Sequence, residues 1–572
     1  MKTVRMKSSQ LKGMTGTLAQ NITKNWLIGL RQTNPAILDM FMERDRLPYR
    51  SLLPWSGEFA GKYITGAYYI YRMTLDESLR SYVLNFIEEL LSTQADNGYM
   101  GCFSKDCQLT GAYSQNPEKS GETWDGWNHY HIMFGLLLWY DETKDARYLQ
   151  AVEKAASLFI KTFFNPETGA KRLVSIGFAE MNLAPIHVFV LLYHLTGKQE
   201  YLDFALEIET DIADEQAGNY IQHALNGLEY YQCPKPRWES IHVILGILEL
   251  YHATGRDYYR QVVEQIFWSI LKTDVHNTGG FSTTEQAVGT PFKKGPIETC
   301  CVIAYDALGV DIFKLTKDVR VIDFLERAHY NACMGFWSPT GRWSTYDTPM
   351  NGIRVANIQD IVFQSRPGSP ELNCCSVNAA RGIGMYGEWA VMQDEDVLYI
   401  NGYEDADFET EDGISIKITG GYPAKNSVTV TAKGYTGKLA LRIPEWSEKT
   451  QINVNGNTAA PEACSYFVID CDGETKAELV FDFTTRYLKG AEDFDGCTSI
   501  FRGPILFGTD VSLAGGYDLE NLPVLNKEEI SAAAAEICGE KICIPLACGV
   551  TLCDFYHLGE TGSQYVSWLK LN

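Results

Sequence analysis

A repeated helical phrase constrains the fold of this chain more than any other feature. An apolar stretch ends in an aromatic residue, a short step and a threonine, and an amphipathic stretch follows after a polar turn. The phrase closes at Thr74, Thr143, Thr196, Thr254 and Thr316. Apolar residues at i, i+3, i+4 and i+7 in the second stretch predict a helix that packs through one face. Each copy is therefore predicted to be a helical hairpin.

Helical hairpins that recur along a chain are expected to stack side by side. A weaker copy around Trp26 brings the number of hairpins to about six by this repeat reading. Six hairpins would close into an (α/α)6 toroid, which we predict for residues 1–385. An open α-solenoid is the alternative, because periodicity alone does not show whether the two ends meet.

The sequence pattern changes after about Met385. Short segments with alternating apolar residues, such as 427–432, are separated by Gly, Asn and Asp turns, and Asn455-Gly456 is a hairpin signal. This pattern predicts an antiparallel β-sandwich over residues 386–572. The predicted fold class is α+β multidomain, an (α/α)6 barrel followed by a β-sandwich.

Charge and cysteine content narrow the function. Lys and Arg total 49 against 72 Asp and Glu, a net charge of -23. Such an acidic surface repels phosphate and anionic lipid, so neither nucleic acid nor a membrane is an expected partner. The chain shows no signal-peptide pattern and no apolar run of membrane-spanning length, and we expect a cytoplasmic protein. In a reducing compartment the 15 cysteines are not expected to form a disulfide framework, and clustered ones indicate a metal or catalysis.

Two cysteine clusters carry the strongest chemical signal. The first is Glu298-Thr-Cys300, which follows a Gly-Pro pair, and the second is Cys374-Cys375. One carboxylate and three thiolates would make a closed tetrahedral zinc site. Glu298 and Cys300 do not share a face of one helix, so we expect them where a loop enters a helix. Adjacent cysteines are expected to reach one metal only from non-helical backbone. Buried structural thiols, or a vicinal disulfide at Cys374-Cys375, are the alternatives.

A candidate acid lies between the hairpins and these clusters. Glu285 follows the Gly279-Gly280 turn and could present its carboxyl group to the same cavity. Most glutamates in loops are simply solvated, so position alone is a weak signal.

The run from Glu285 through Glu298-Thr-Cys300 to Cys374-Cys375 resembles the β-L-arabinofuranosidases of glycoside hydrolase family 127. Further family phrases are His329-Tyr-Asn-Ala, Tyr346-Asp-Thr-Pro-Met, Leu441-Arg-Ile-Pro-Glu-Trp and Arg502-Gly-Pro. The resemblance covers the chain from about Gly57 to the C-terminus and agrees with a barrel followed by a sandwich.

The resemblance implies a retaining glycosidase that uses a zinc-bound cysteine as nucleophile. Carried over, Zn2+ is held by Glu298, Cys300, Cys374 and Cys375, with Cys374 as nucleophile and Glu285 as general acid/base. The implied substrate is a small oligosaccharide or glycoside with terminal β-L-arabinofuranose, and another furanoside or an unusual acidic sugar is the nearest alternative. A metal makes this chemistry reasonable because it deprotonates a thiol that is mostly protonated at neutral pH.

Candidate sugar contacts lie where apolar helices begin, or near the cysteine clusters. They are His131, His242, Trp127, Tyr346 and Trp55. Polar and aromatic side chains at the mouth of an inner helix suit a hydroxyl-rich ligand. His131 matches the family position that hydrogen-bonds the sugar, and a satisfied core histidine is the alternative for both imidazoles.

Departures from the family pattern leave other functions open. Cys301 follows the ligand Cys300 where a small residue is usual, and it either faces the core or contests the metal. The segment between Glu285 and Glu298 is shorter than is typical. A non-hydrolytic (α/α)6 enzyme such as a sugar epimerase, and a sugar-binding protein with a structural zinc, are the other candidate classes. Packing of the β region on the barrel is expected to allow a homodimer.

Overall fold

The computed structural model describes residues 1–164, 171–356 and 372–572. Helices dominate as far as Trp389, and strands dominate after it. In chain order the helices are α1 (Met14–Ile22), α2 (Leu30–Thr33), α3 (Ala36–Met42), α4 (Glu58–Thr74), α5 (Glu77–Ser92), α6 (Asp125–Thr143), α7 (Ala146–Phe163), α8 (Ala179–Asn182), α9 (Pro185–Thr196), α10 (Gln199–Ile212), α11 (Tyr220–Leu225), α12 (Ser240–Thr254), α13 (Asp257–Thr273), α14 (Thr299–Thr316), α15 (Val319–Arg327), α16 (Cys374–Gly384), α17 (Tyr386–Trp389) and α18 (Lys527–Ala532).

Six inner helices form a closed ring. Helix α4 packs on α6, α6 on α9, α9 on α12, α12 on α14, α14 on α16, and α16 returns to α4. Outer helices pack on five of them as the second arms of the predicted hairpins, namely α5, α7, α10, α13 and α15. The closed ring confirms the (α/α)6 barrel, and it excludes the open solenoid.

The sixth pair differs from the prediction. Its outer helix is α1 and its inner helix is α16, so the two ends of the helical region meet to complete the ring. The weaker phrase around Trp26 is therefore not a hairpin of its own. Trp26 is buried just after α1, and its apolar surroundings mimic the repeat.

The repeated threonine explains why each hairpin turns at the same place. Thr196 donates its hydroxyl hydrogen to the carbonyl of Leu192 (2.7 Å) and accepts the N–H of Lys198 (3.3 Å). Gly197 between them adopts the left-handed conformation at φ 68°, which ends α9. The hydroxyl satisfies backbone groups on both sides of the turn. The other four threonines also donate to the carbonyl four residues earlier.

The strands form two large sheets and one short ribbon. In chain order they are β1 (Lys2–Thr3), β2 (Met6–Leu11), β3 (Pro296–Glu298), β4 (Asp347–Pro349), β5 (Asn351–Ile353), β6 (Val391–Asp394), β7 (Val397–Ile400), β8 (Ala406–Thr410), β9 (Ser415–Thr419), β10 (Ser427–Ile443), β11 (Gln451–Val454), β12 (Asn457–Ala459), β13 (Ser465–Val480), β14 (Arg486–Lys489), β15 (Thr498–Arg502), β16 (Ile505–Asp510), β17 (Glu536–Cys538), β18 (Lys541–Pro545), β19 (Thr551–Asp554) and β20 (Gln564–Val566).

The first large sheet joins β1, β2 and β6–β13, and the second joins β5 and β14–β20. Pairing is antiparallel except between β7 and β10, which run parallel. The predicted β-sandwich is thus confirmed. The parallel pairing of β7 with β10 could not be predicted from the alternation of apolar and polar residues.

The N-terminal residues depart from the predicted boundary of the helical segment at residue 1. Strand β1 pairs with β6, and β2 pairs with β8, so residues 2–11 belong to the first sheet. Backbone pairing decides this, because their N–H and C=O groups complete the sheet's ladder.

Buried charges join the barrel to the sandwich. Arg442 of β10 is fully buried and pairs with Asp323 and Glu326 of α15. Asn331 donates to the carbonyl of Pro504 (2.9 Å) and accepts the N–H of Leu506 (2.8 Å). Within the described ranges, none of the helices combines the length and hydropathy that a bilayer span requires.

Candidate metal centre and active-site cavity

Two helix N-termini bring the clustered cysteines together. Strand β3 ends at Glu298, which occupies the N-cap position of α14, and Cys300 lies in the first turn of that helix. The helix entry that the sequence predicts is present, but a short strand and not a loop leads into it. Asn373 caps α16 by accepting the N–H groups of Cys375 and Ser376.

The prediction of non-helical backbone at the adjacent cysteines is wrong. Cys374 and Cys375 are the first two residues of α16. Their sulfurs are 3.9 Å apart, about twice the ~2.05 Å of a disulfide bond, so the pair is not bonded. Side chains in a first helical turn project past the helix end, and both thiols reach the same point from there.

The four side chains converge as a tetrahedral site requires. Their ligand atoms all lie within 4.8 Å of one another, and all four residues are buried. The Sγ atoms of Cys375 and Cys300 are 3.6 Å apart, and Cys375 Sγ lies 3.4 Å from Glu298 Oε1. Tetrahedral zinc with Zn–S of about 2.3 Å and Zn–O of about 2.1 Å needs S···S near 3.8 Å and S···O near 3.6 Å. Three thiols and one carboxylate with these separations fit a zinc ion.

A buried lysine lies against this cluster. Lys62 Nζ on α4 lies 3.6 Å from Cys300 Sγ and 3.0 Å from Glu58 Oε1. Asn378 Nδ2 donates to the same sulfur at 3.5 Å. Burial opposes the lysine's charge, but Cys300 and Glu58 outweigh it and raise the pKa of Lys62. The charged lysine therefore lies against the Cys300 sulfur.

Cys301 does not join the four ligands. Its sulfur lies 3.5 Å from Glu298 Oε2, while Cys375 approaches the other oxygen of that carboxylate. Burial raises the pKa of the Cys301 thiol, so it stays protonated and donates. It faces the protein interior and holds the Glu298 carboxylate in orientation.

A cavity of about 150 Å³ opens above the cluster. Of the three clustered thiols, Cys374 lines this cavity, whereas Cys300 and Cys375 are fully buried. Trp55 and Tyr346, two of the predicted sugar contacts, line it as well. The rings of Trp55 and Trp124 lie 4.9 Å apart and form an aromatic wall.

Glu285 reaches the cavity through a strained loop. Glu285 has φ +63°, a left-handed conformation that non-glycine residues rarely adopt. Backbone hydrogen bonds from Trp238 N to Glu285 O (3.2 Å) and from Ala287 N to Pro236 O (2.9 Å) hold this loop. Arg237 Nη2 donates to Glu285 Oε2 at 2.9 Å. The carboxyl group is thus fixed at the rim, about a third exposed.

A buried carboxyl group lies beside the partly exposed Glu285. Arg237 also pairs with Glu239 at 2.7 Å, and Glu239 lines the same cavity. Burial raises the pKa of Glu239 to about 7, although Arg237 opposes the shift. One arginine therefore bridges a buried and an exposed carboxyl group at the cavity wall.

The remaining predicted sugar contacts lie deeper, around Glu58. Trp127 donates its indole N–H to Glu58, and His131 Nε2 lies 3.8 Å from the same carboxylate. His242 packs edge-on against Trp127, and its Nδ1 is 2.9 Å from Tyr130 OH. Burial lowers the pKa of both histidines, so the imidazoles are neutral.

His131 has hydrogen-bonding capacity to spare. Its Nε2 is buried and has no hydrogen-bond partner among the described residues. Helix α6 carries it close to α4 because Gly61 leaves room: a Cβ there would lie 2.3 Å from the His131 carbonyl carbon. One nitrogen of His131 is thus unpaired, and its role as a sugar contact stays a prediction.

Sequence reasoning missed Lys62, Arg237 and Glu239 as members of the site. Lys62 stands between apolar and small residues within the inner helix α4, and a charged residue at such a position was the available signal. Arg237 and Glu239 directly precede the His242 helix, but their partner Glu285 is distant in sequence, and no local pattern joins them.

The closed barrel, the β-sandwich and the cavity above one glutamate and three clustered cysteines define an (α/α)6-barrel enzyme with a candidate metal centre. The chain belongs to glycoside hydrolase family 127. The family model described as beta-L-arabinofuranosidase, GH127 catalytic domain, matches residues 19–388, and the GH127 middle-domain model matches 397–484. The protein is thus a glycoside hydrolase, as the sequence resemblance predicts. Among proteins with curated annotation, none matches the chain.

Solved structures share the whole fold. A GH127 β-arabinofuranosidase, BT3674, aligns with TM-score 0.78 and 18% identity over 100% of this chain and 98% of its own. Ara127N-Se, a GH127 β-L-arabinofuranosidase from Geobacillus stearothermophilus T6, aligns with TM-score 0.78 and 16% identity over 99% and 100%. Both establish the barrel-plus-sandwich architecture for the full length of the chain.

Proposed function

We propose that this glycoside hydrolase is a retaining, zinc-dependent β-L-arabinofuranosidase with Cys374 as its nucleophile. The observation that carries the proposal is the placement of three thiols and one carboxylate. All four converge with zinc-like separations, and Cys374 alone among the three thiols lines the cavity. The names of the solved relatives supply the sugar.

Glu298, Cys300, Cys374 and Cys375 would hold the zinc ion. Bound zinc would keep the thiols deprotonated and fix the direction of the Cys374 sulfur. Cys374 Sγ attacks the anomeric carbon and forms a thioglycosyl enzyme, while Glu285 donates a proton to the departing glycosidic oxygen. Glu285 then takes a proton from water, which attacks the same carbon and returns the sulfur to its thiolate state. Two inversions at one carbon give retention.

The walls of the cavity bind the sugar in this proposal. Trp55 and Tyr346 contact the ring from the mouth, and burial keeps the Tyr346 hydroxyl neutral by raising its pKa. His131 and His242 act as neutral hydrogen-bonding groups beside Trp127, in the layer beneath the residues that line the cavity. The free Nε2 of His131 suits a sugar hydroxyl. We also propose that the protein is cytoplasmic, because all 15 cysteines are free thiols. The proposed assembly is a homodimer.

The test compares 4-nitrophenol release from 4-nitrophenyl β-L-arabinofuranoside by wild type, Cys374→Ser and Cys333→Ser. Cys333 is a buried thiol outside the cluster and serves as the matched control. We expect one zinc per chain by elemental analysis, loss of release in Cys374→Ser, and normal release in the control. Proton NMR of the first-formed product should show the β anomer.

Each part of the proposal has its own contrary outcome. Equal release by wild type and Cys374→Ser would exclude Cys374 as nucleophile. An α anomer as first product would exclude retention. A protein without stoichiometric zinc would exclude the metal, and release from other furanosides alone would replace the proposed sugar.

A further inference from the structure

A second cavity lies outside the barrel mouth, and nothing in the hydrolase activity uses it. We name it the helix–strand cleft. It is lined by α13 and α15 on one side and by Trp446, Arg486, Phe501 and Pro504 of the β region on the other. Its volume of about 440 Å³ exceeds the 150 Å³ of the cavity above the cysteines. That volume falls within the range of small-molecule sites.

Two arginines in the cleft form no direct ion pair among the described residues. Arg327 Nε and Arg486 Nε are both buried, and neither atom has a hydrogen-bond partner among the described residues. Arg486 Nη2 donates to the carbonyl oxygen of Gly503, which is a neutral group. Among the described residues, neither guanidinium group forms an ion pair with a carboxylate. Burial lowers the pKa of both side chains. The pKa of Arg327 falls to about 10, because the neighbouring charge of Arg486 also lowers it. Buried polar groups are normally paired, so this arrangement calls for a ligand.

The acids near the cleft are already engaged or exposed. Asp323 pairs with Arg442 at 2.5 Å and accepts the N–H of Glu445 at 2.7 Å. Glu445 is an exposed residue that also lines the cleft. The other cleft cations have partners: Lys272 pairs with Glu229, and Arg320 pairs with Asp318. Arg327 and Arg486 are therefore the two cleft cations without a direct ion pair among the described residues, although the charges of Asp323 and Glu445 at the cleft favour their charged forms.

The rest of the lining is aromatic or apolar. Trp268, Phe324, Trp446 and Phe501 line the cleft; Arg320 lies over the Trp268 ring, and Arg486 lies beside the rings of Trp446 and Phe501. Inorganic anions gain nothing from such walls, whereas a sugar presents C–H faces that pack on indole and phenyl rings. A carboxylate accepts hydrogen bonds from a guanidinium group with matched geometry. Guanidinium groups beside an aromatic lining therefore favour a ligand that carries both a carboxylate and a sugar ring.

We propose that the helix–strand cleft binds a carboxylated saccharide, whose carboxylate pairs with Arg327 and Arg486 while its ring packs against the apolar and aromatic lining between α13, α15 and the β region. This site is separate from the hydrolytic cavity. It would hold an acidic sugar unit of a longer glycan, or a free sugar acid, beside the catalytic barrel.

Isothermal titration calorimetry of the full chain with sodium D-galacturonate tests the proposal. Neutral D-galactose and sodium phosphate at matched ionic strength are the comparison ligands. We expect one galacturonate per chain, no binding of galactose, and weaker binding of phosphate. The Kd for galacturonate should rise at least about tenfold in Arg327→Gln, since a charge-assisted pair is lost. Arg147→Gln, which alters an exposed arginine paired with Glu88 on the barrel surface, should leave the Kd unchanged.

A measurement on the unmodified chain guards against misfolding of a variant. Phenylglyoxal labels accessible guanidinium groups, and mass spectrometry reports each site. Galacturonate should protect Arg327 and Arg486 but not Arg147. Absence of galacturonate binding, an unchanged Kd in Arg327→Gln, or lack of protection would overturn the site. Phosphate binding as tight as galacturonate binding would overturn the saccharide assignment.

Discussion

Lys62 should set the affinity of the metal centre. Four anionic ligands around Zn2+ leave a formal charge of about −2, and Lys62 is a buried cation 3.6 Å from Cys300 Sγ. At an effective dielectric constant of about 20, two unit charges at that distance attract by about 4.6 kcal/mol. Metal–ligand bonding spreads the sulfur charge, so we expect about 1.4–2.8 kcal/mol to be realised. Lys62→Met should therefore weaken zinc binding by roughly 10–100-fold.

The variant leaves Glu58 without its cation. Burial already raises the pKa of Glu58 to about 7, and without Lys62 that carboxyl group should bind a proton. The double variant Lys62→Met/Glu58→Gln, in which residue 58 carries no charge, should therefore bind zinc about as weakly as Lys62→Met. Lys314→Met is the matched control, because Lys314 also pairs with a carboxylate at 3.0 Å but does so at Asp311.

Competition with a chromogenic zinc chelator measures the affinity of each variant, and circular dichroism shows that it is folded. A folded Lys62→Met protein that holds zinc within about threefold of wild type would refute the electrostatic reasoning. Equal weakening in Lys314→Met would also refute it, since the effect would then be a general loss of stability.

Three further outcomes are expected. Arg442→Met should destabilise the chain by about 3–5 kcal/mol, seen as a lower urea midpoint, because the buried Asp323 and Glu326 carboxylates lose their cation. Burial raises the pKa of Asp306 to about 7, so the folded state holds a proton that the unfolded state releases. Stability should fall as pH rises from about 4 to about 7, and Asp306→Asn should remove up to about 4 kcal/mol of that loss, in parallel melts across pH. His131→Ala should lower kcat/KM at least about tenfold, with zinc content unchanged by elemental analysis.

The fold could be predicted to a large extent because its signals are local. A helix that packs through one face repeats its apolar residues every three or four positions, and the threonine turn needs contacts only four residues back and two forward. The ligand set was accessible for the same reason, since Glu298-Thr-Cys300 and Cys374-Cys375 are short motifs. The helical backbone at the adjacent cysteines follows from the cap of Asn373, which is also a local signal but was not used in the sequence prediction.

The parts that sequence reasoning missed depend on distant pairs. Lys62 and Cys300 are 238 residues apart, and Arg237 and Glu285 are 48 apart. Residues so far apart in the chain form no periodic or local pattern in the sequence. The sixth helix pair was misassigned for a related reason, because α1 finds its partner α16 only when the ring closes.

The sequence by itself determined the helical hairpins, the change to strands, the family resemblance and the four metal-ligand candidates. Tertiary structure alone decided that the ring closes through its two ends, that Cys374 lines the cavity, and that Arg327 and Arg486 share a cleft without a direct ion pair among the described residues. Secondary structure follows from interactions within a few residues of the chain. Solvent exposure and charge pairing depend on which distant surfaces meet, and folding alone brings those surfaces together.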